Sequence, residues 1–208
     1  MFDERARTVL PRVVTPLVRV LVRARVSPNV ISGVACGMGL AAAACVATGA
    51  LRMGLAAWLV SRLADGLDGI VARETGATSA FGGYLDITLD MAAYSAMVVG
   101  FAVAYPGHGV VWSAILASYV LAITTTLALS DAATKAGRTV SRTNRTFQFT
   151  TSLAEAGETS IVYALWVVFP PWIEWLAWLW VAIVLLTVVQ RTWLARRVLG
   201  IAPSACDG

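Results

Sequence analysis

Four carboxylates stand close together in "DGLDGIVARETGATSAFGGYLDITLD": Asp65, Asp68, Asp86 and Asp90, with apolar sequence on either side. With no histidine or cysteine among them, such a set selects hard, oxygen-seeking cations such as Mg²⁺, Mn²⁺ or Ca²⁺ over zinc or copper. Four carboxylates and two divalent ions balance in charge. A two-metal site commonly serves in-line displacement at phosphorus, clamping the attacking and leaving oxygens.

A charged side chain near the centre of a bilayer costs at least ~2.5 kcal/mol, so a cluster of four needs compensation. Ion pairing is the bland explanation, but Arg62 and Arg73 cannot neutralise four acids, and Glu74 adds a fifth. Bound cations explain the cluster better. Helical geometry agrees. At about 100° per residue, Asp65, Asp68, Gly69 and Ala72 share one narrow face, and Gly82, Asp86 and Asp90 share another. Two helices joined around "ETGATSA" would then turn all four acids into one cleft.

The elements that must position them are membrane helices. The 208-residue chain is 58% hydrophobic and 13% charged, with a mean hydropathy of +0.74. Soluble domains carry about 25% charged residues. Apolar segments near the ~20 residues needed to cross a bilayer fall at about 30–50, 53–73, 82–105, 110–130, 156–169 and 172–190. The expected fold is an all-α membrane protein of six transmembrane helices. "YPGHG" and "FPPW" mark tight turns, with His108 a turn residue. Gly- and Ala-rich "GVACGMGLAAAACVATGA" suits close helix packing, and the eight tryptophans suit an aromatic belt at the outer interface. Cys36, Cys45 and Cys206 have no metal spacing.

Basic residues orient the bundle. Arg5, Arg7, Arg12, Arg19, Arg23 and Arg25 precede the first span; Lys135, Arg138, Arg142 and Arg145 fill the fourth connection; Arg191, Arg196 and Arg197 follow the last. By the positive-inside rule both termini and the acidic cluster face the cytoplasm of an inner (plasma) membrane. "LPRVVTPLVRVLVRARV" reads as an amphipathic juxtamembrane helix within residues 1–26, its arginines facing anionic headgroups. Residues 27–192 form the transmembrane catalytic domain and 193–208 a short tail. The net charge of +4 is placed for a membrane, not a nucleic acid. The N-terminus does not read as a cleaved signal.

Written out, Asp65 to Asp90 is D-x2-D-G-x2-A-R-x8-G-x3-D-x3-D. This resembles the signature of the CDP-alcohol phosphotransferases (CDP-alcohol phosphatidyltransferases), which make phospholipid headgroup linkages. Every fixed position matches, and "SPNVIS" is similar to the family's usual start of the first span. The resemblance implies a pair of Mg²⁺ or Mn²⁺ ions held by Asp65, Asp68 and Asp86, with Asp90 contributing to the site and acting as general base. It also implies that the nucleotide of CDP-diacylglycerol lies against Gly69, Ala72, Arg73 and Gly82, that an alcohol hydroxyl displaces CMP, and that the protein is a homodimer.

The acceptor is less legible. Lys135, Arg138 and Arg142 either meet an acceptor phosphate or serve only as topology signals. Ser152 and Glu155 read as a capping box, which leaves Glu158 to meet a cationic or polyhydroxyl acceptor. Two other readings stay open: a CDP-headgroup donor with diacylglycerol as acceptor, and a divalent-cation transporter. The transporter wants acids along a conduit, whereas these cluster at one depth.

Overall fold

The computed structural model describes residues 15–136 and 156–200. Arg138, Arg142, Glu155, the first fourteen residues and the 201–208 tail lie outside the described residues. Every described element is helical: α1 (15–23), α2 (Pro28–Ala47), α3 (Leu51–Glu74), α4 (Ala80–Ala104), α5 (Gly109–Lys135), α6 (Ala156–Val168) and α7 (Ile173–Leu199). Short 3₁₀ turns at Pro106–His108 and Pro170–Trp172 close the two hairpins that proline and glycine marked.

The six expected spans are α2 to α7. Helices α5 and α7 run past the expected ends at 130 and 190, to Lys135 and Leu199. Hydropathy marks only the lipid-facing length of a helix. Backbone hydrogen bonding carries the helix on through polar residues until propensity or a cap stops it. Four of the spans are long and strongly apolar, and α6 is a shorter apolar helix. Helix α3 is interrupted by charge, carrying Arg52, Arg62, Asp65, Asp68, Arg73 and Glu74. It is shielded by packing against α2 on one side and α6 on another.

Small residues set the crossings of the α2–α3–α4 trio. A Cβ at position 54 would lie 2.9 Å from the Ala42 carbonyl oxygen, and one at position 39 only 2.8 Å from the Ala93 Cβ. At position 100 it would lie 2.6 Å from the Ala43 carbonyl oxygen. Backbone cannot yield as a flexible side chain can. Gly100→Ala is therefore expected to destabilise the protein by about 1–3 kcal/mol, the usual effect of overpacking, read as a lower melting temperature in detergent.

Below the trio, aromatic rings fill the core. Trp58 packs on Tyr94 and Tyr163 at 5.1 Å between centroids, and Phe101 on Trp166 also at 5.1 Å. Trp180 donates to the Tyr119 hydroxyl at 2.9 Å, joining α7 to α5. This corrects the reading of the tryptophans as one outer belt. Trp58, Trp112, Trp166 and Trp180 are buried, while Trp172 and Trp175 at the α6–α7 turn are exposed and fit an interfacial role. Burial depends on which face meets a neighbour, and tryptophan's size makes it equally useful in a core. At this end of the bundle His108 Nδ1 lies 3.2 Å from Glu174 Oε2, fastening one hairpin turn to the other.

Helix α1 docks on the opposite end. Val18 is buried with Ile31, Leu67 and Val71, while Arg19, Arg23 and Arg25 are exposed. Its amphipathic pattern is thus satisfied by protein on one face and leaves its arginines outward. The chain turns back at Arg25, whose φ of 53° is left-handed. The Val26 N–H reaches the Leu21 carbonyl at 3.1 Å, a helix-ending pattern usually built on glycine.

Candidate active site

The last turns of α3 and the first turns of α4 lie at the end of the bundle where α1 docks. A short turn joins them, with Gly76 at φ 66°. Ser79 caps α4 by accepting a hydrogen bond from the Gly82 N–H at 2.9 Å. Both helices pack on α2, and Asp65 and Asp68 on α3 approach Asp86 on α4 through their side chains. Ligand atoms of Asp65, Asp68 and Asp86 all lie within 4.8 Å of one another. Three carboxylate oxygens at that spacing, with no nitrogen or sulfur donor in the group, fit a hard divalent cation.

The burial of the three acids differs. Asp68 is buried, Asp65 half-buried and Asp86 exposed. The cluster therefore opens toward α4 and is closed on the α2 side. There Ser32, in the "SPNVIS" start of α2, donates its hydroxyl to Asp68 Oδ2. Partners of this kind orient metal-binding carboxylates, and their loss typically lowers metal affinity or activity by about 10–100-fold. Ser32→Ala is expected to weaken Mn²⁺ binding within that range, measured by electron paramagnetic resonance titration, with little change in melting temperature.

Asp90 lies one turn further into α4, where Arg62 Nη1 donates to its Oδ1. The same nitrogen is 3.6 Å from Asp65 Oδ2. So three of the four expected acids converge directly, and the fourth is tied to them through an arginine. Arg62 is too little charge for four acids, but its one guanidinium bridges two carboxylates. Its position one helical turn before Asp65 was the available signal.

The residues that the resemblance matches to the nucleotide lie on the same stretches of α3 and α4 as the acids. Gly69, Ala72 and Gly82 are half-buried and Arg73 is exposed. Arg73 folds back over Gly69, its Nη1 3.3 Å from where a Cβ would stand. A Cβ at position 82 would come 3.2 Å from Ser79 Oγ and 3.5 Å from Asn29 Oδ1. Lys135 is exposed and paired with Asp131 of its own helix at 2.7 Å. Glu158 is exposed in the first turn of α6.

A family model described as CDP-alcohol phosphatidyltransferase matches residues 25–193. The chain belongs to that family. The match covers all six spans and every aspartate of the cluster. A CDP-alcohol phosphatidyltransferase moves a phosphatidyl group from CDP-diacylglycerol to the hydroxyl of an alcohol, and this chain is an enzyme of that class. The inner membrane protein YnjF of Escherichia coli is 30% identical over 179 residues, 85% of this chain and 86% of that protein. A phosphatidylinositol phosphate synthase of Cutibacterium acnes is 37% identical over 108 residues, a match spanning 50% of this chain and about half, 51%, of that synthase. The fold of this phosphatidyltransferase is similar to that of Mycobacterium tuberculosis phosphatidylinositol phosphate synthase. The TM-score is 0.67 against that protein with CDP-DAG bound, at 24% identity and covering 95% of this chain and 98% of the other. Against its complex with manganese and citrate it is 0.66, covering 93% and 92%.

Proposed function

We propose that Asp65, Asp68 and Asp86 hold a pair of Mg²⁺ or Mn²⁺ ions, with Asp90 contributing to the site and acting as general base. The observation that carries this is the convergence of three carboxylates from two helices within 4.8 Å. The manganese complex of the structural neighbour supports it. Bound there, such ions neutralise a diphosphate and stabilise the charge developing on the departing group.

The protein's own residues do the rest. Gly69, Ala72, Arg73 and Gly82 receive the cytidine nucleotide, with Gly69, Ala72 and Gly82 leaving space against two helix backbones and Arg73 offering its charge beside them. Acyl chains remain in lipid beside the exposed apolar flank of α4, where Tyr84 and Ile87 face outward. The acceptor hydroxyl gives its proton to Asp90. Its oxygen bonds to the phosphorus bearing diacylglycerol, the bond from that phosphorus to CMP breaks, and CMP leaves.

In this reading residues 27–192 form the catalytic domain of a homodimer in a bacterial inner membrane, with both termini and the site cytoplasmic. Topology supports the orientation. Arg19, Arg23, Arg25, Arg73, Lys135, Arg191, Arg196 and Arg197 gather at the aspartate end, against Arg52 at the other, among the described residues. Lys135, Arg138, Arg142 and Glu158 are the candidates for acceptor contact.

Protein purified in detergent or liposomes is given Mg²⁺ or Mn²⁺, CDP-diacylglycerol, and either glycerol 3-phosphate, inositol phosphate, serine or an amino alcohol. CMP release with one acceptor and not the others supports the proposal and names the acceptor. Metal flux into proteoliposomes with no CMP release from any acceptor overturns it in favour of transport.

A further inference from the structure

Arg62 is nine-tenths buried, its side chain 10% exposed, and lies between the aspartate cluster and the aromatic core. Three helices fix its guanidinium. From α3, Trp58 lies under it at 4.6 Å, and from α4, Tyr94 at 5.0 Å. Its Nη2 donates to Ser61 Oγ at 3.1 Å, and that hydroxyl donates onward to the Ala35 carbonyl of α2 at 2.7 Å. Its Nη1 faces Asp90 and Asp65. Its Nε is buried with no hydrogen-bond partner among the described residues.

Here the plane of the fork is held where it grips Asp90. We propose that Arg62 is a positioning residue for phosphatidyl transfer. It takes Oδ1 of Asp90 and leaves Oδ2 to receive the acceptor proton, and through Asp65 it sets the base in register with the cluster. This rests on Asp90 being the base, as set out above. Lysine could supply the charge at this site. It lacks the second nitrogen that holds Ser61 while Nη1 faces both carboxylates, and the broad guanidinium face that lies over the adjoining Trp58 and Tyr94 rings.

The test compares full-length wild type, Arg62→Lys and Arg62→Ala in detergent, reading CMP release from CDP-diacylglycerol, Mn²⁺ binding by electron paramagnetic resonance, and melting temperature. The expected result for Arg62→Ala is a kcat lowered about 10–100-fold, as for other residues that orient a catalytic group. Its KM for CDP-diacylglycerol stays within about threefold, since a misaligned base affects the transition state and not ground-state binding. Mn²⁺ still binds, and millimolar guanidinium restores part of the lost kcat. Arg62→Lys folds and binds Mn²⁺ yet remains impaired in kcat.

Wild-type turnover in Arg62→Lys overturns the proposal, because charge alone would then suffice. So does an Arg62→Ala protein within about threefold of wild-type kcat. If the alanine variant does not fold, the lysine variant decides by the same criteria. Absence of CMP release from wild type itself would instead sink the assigned reaction, and Arg62's part in it falls with it.

Discussion

Asp90→Asn lowers CMP release by about 10²–10⁴-fold, the usual contribution of a positioned general base, and leaves most of the Mn²⁺ binding in place. The substitution keeps the shape of the side chain. Its amide oxygen still accepts from Arg62 Nη1, which in the native protein donates to Oδ1, so the tie between α3 and α4 survives. The other three carboxylates remain within 4.8 Å to hold metal. What is lost is the capacity to accept a proton. Parallel measurement of turnover and Mn²⁺ affinity separates these effects. An Asn variant that turns over at the native rate removes Asp90 from the chemistry.

Asp86→Ala has the opposite profile, because it takes away the arm of the cluster that comes from α4. The two acids left in the group, Asp65 and Asp68, are both on α3 and cannot clamp an ion between helices. Metal binding and turnover are both expected to fall to background. Melting temperatures carry the sign. Without metal, three like charges at close range repel, so removing exposed Asp86 leaves the protein as stable as wild type or more so. With metal at about a hundredfold over its Kd, wild type gains about 2.7 kcal/mol by mass action and the variant gains nothing. A metal-dependent rise in melting temperature retained by Asp86→Ala would show that the ion is held elsewhere. In wild type, EDTA should abolish both the rise and the turnover, and added Mg²⁺ or Mn²⁺ should restore them.

Much of this was legible along the chain because membranes simplify the code. Lipid offers no hydrogen bonds, so a span must be a helix or a strand of a closed barrel, and continuous apolar runs near ~20 residues mark helices. Arginine placement is the signal on which the proposed orientation rests. The aspartates were legible for the same reason: an acid among apolar residues demands a compensating partner, and the spacings of Asp65 to Asp68 and Asp86 to Asp90 keep each pair on one helix face. The chemistry at phosphorus followed from carboxylates alone.

The tryptophans show where such reading stops. Composition puts them at an interface, yet Trp58 and Trp166 are buried in the core, because only packing decides which face of a helix meets protein. Ser32 stands 36 residues from the Asp68 it serves, and Arg62 stands 28 residues from Asp90. Neither pairing leaves a local pattern.

The sequence by itself determined the class of protein, the number and course of its helices, and the four acids with the ions they suit. Each of these is set by residue type and by spacing within one helix, where geometry is fixed by the backbone. The tertiary structure decided how those acids are divided. Three share a cluster and the fourth is gripped by an arginine seated on aromatic rings, because the close approach of α2, α3 and α4 at Gly39, Gly54 and Gly100 sets the distances between helices, which no single helix encodes.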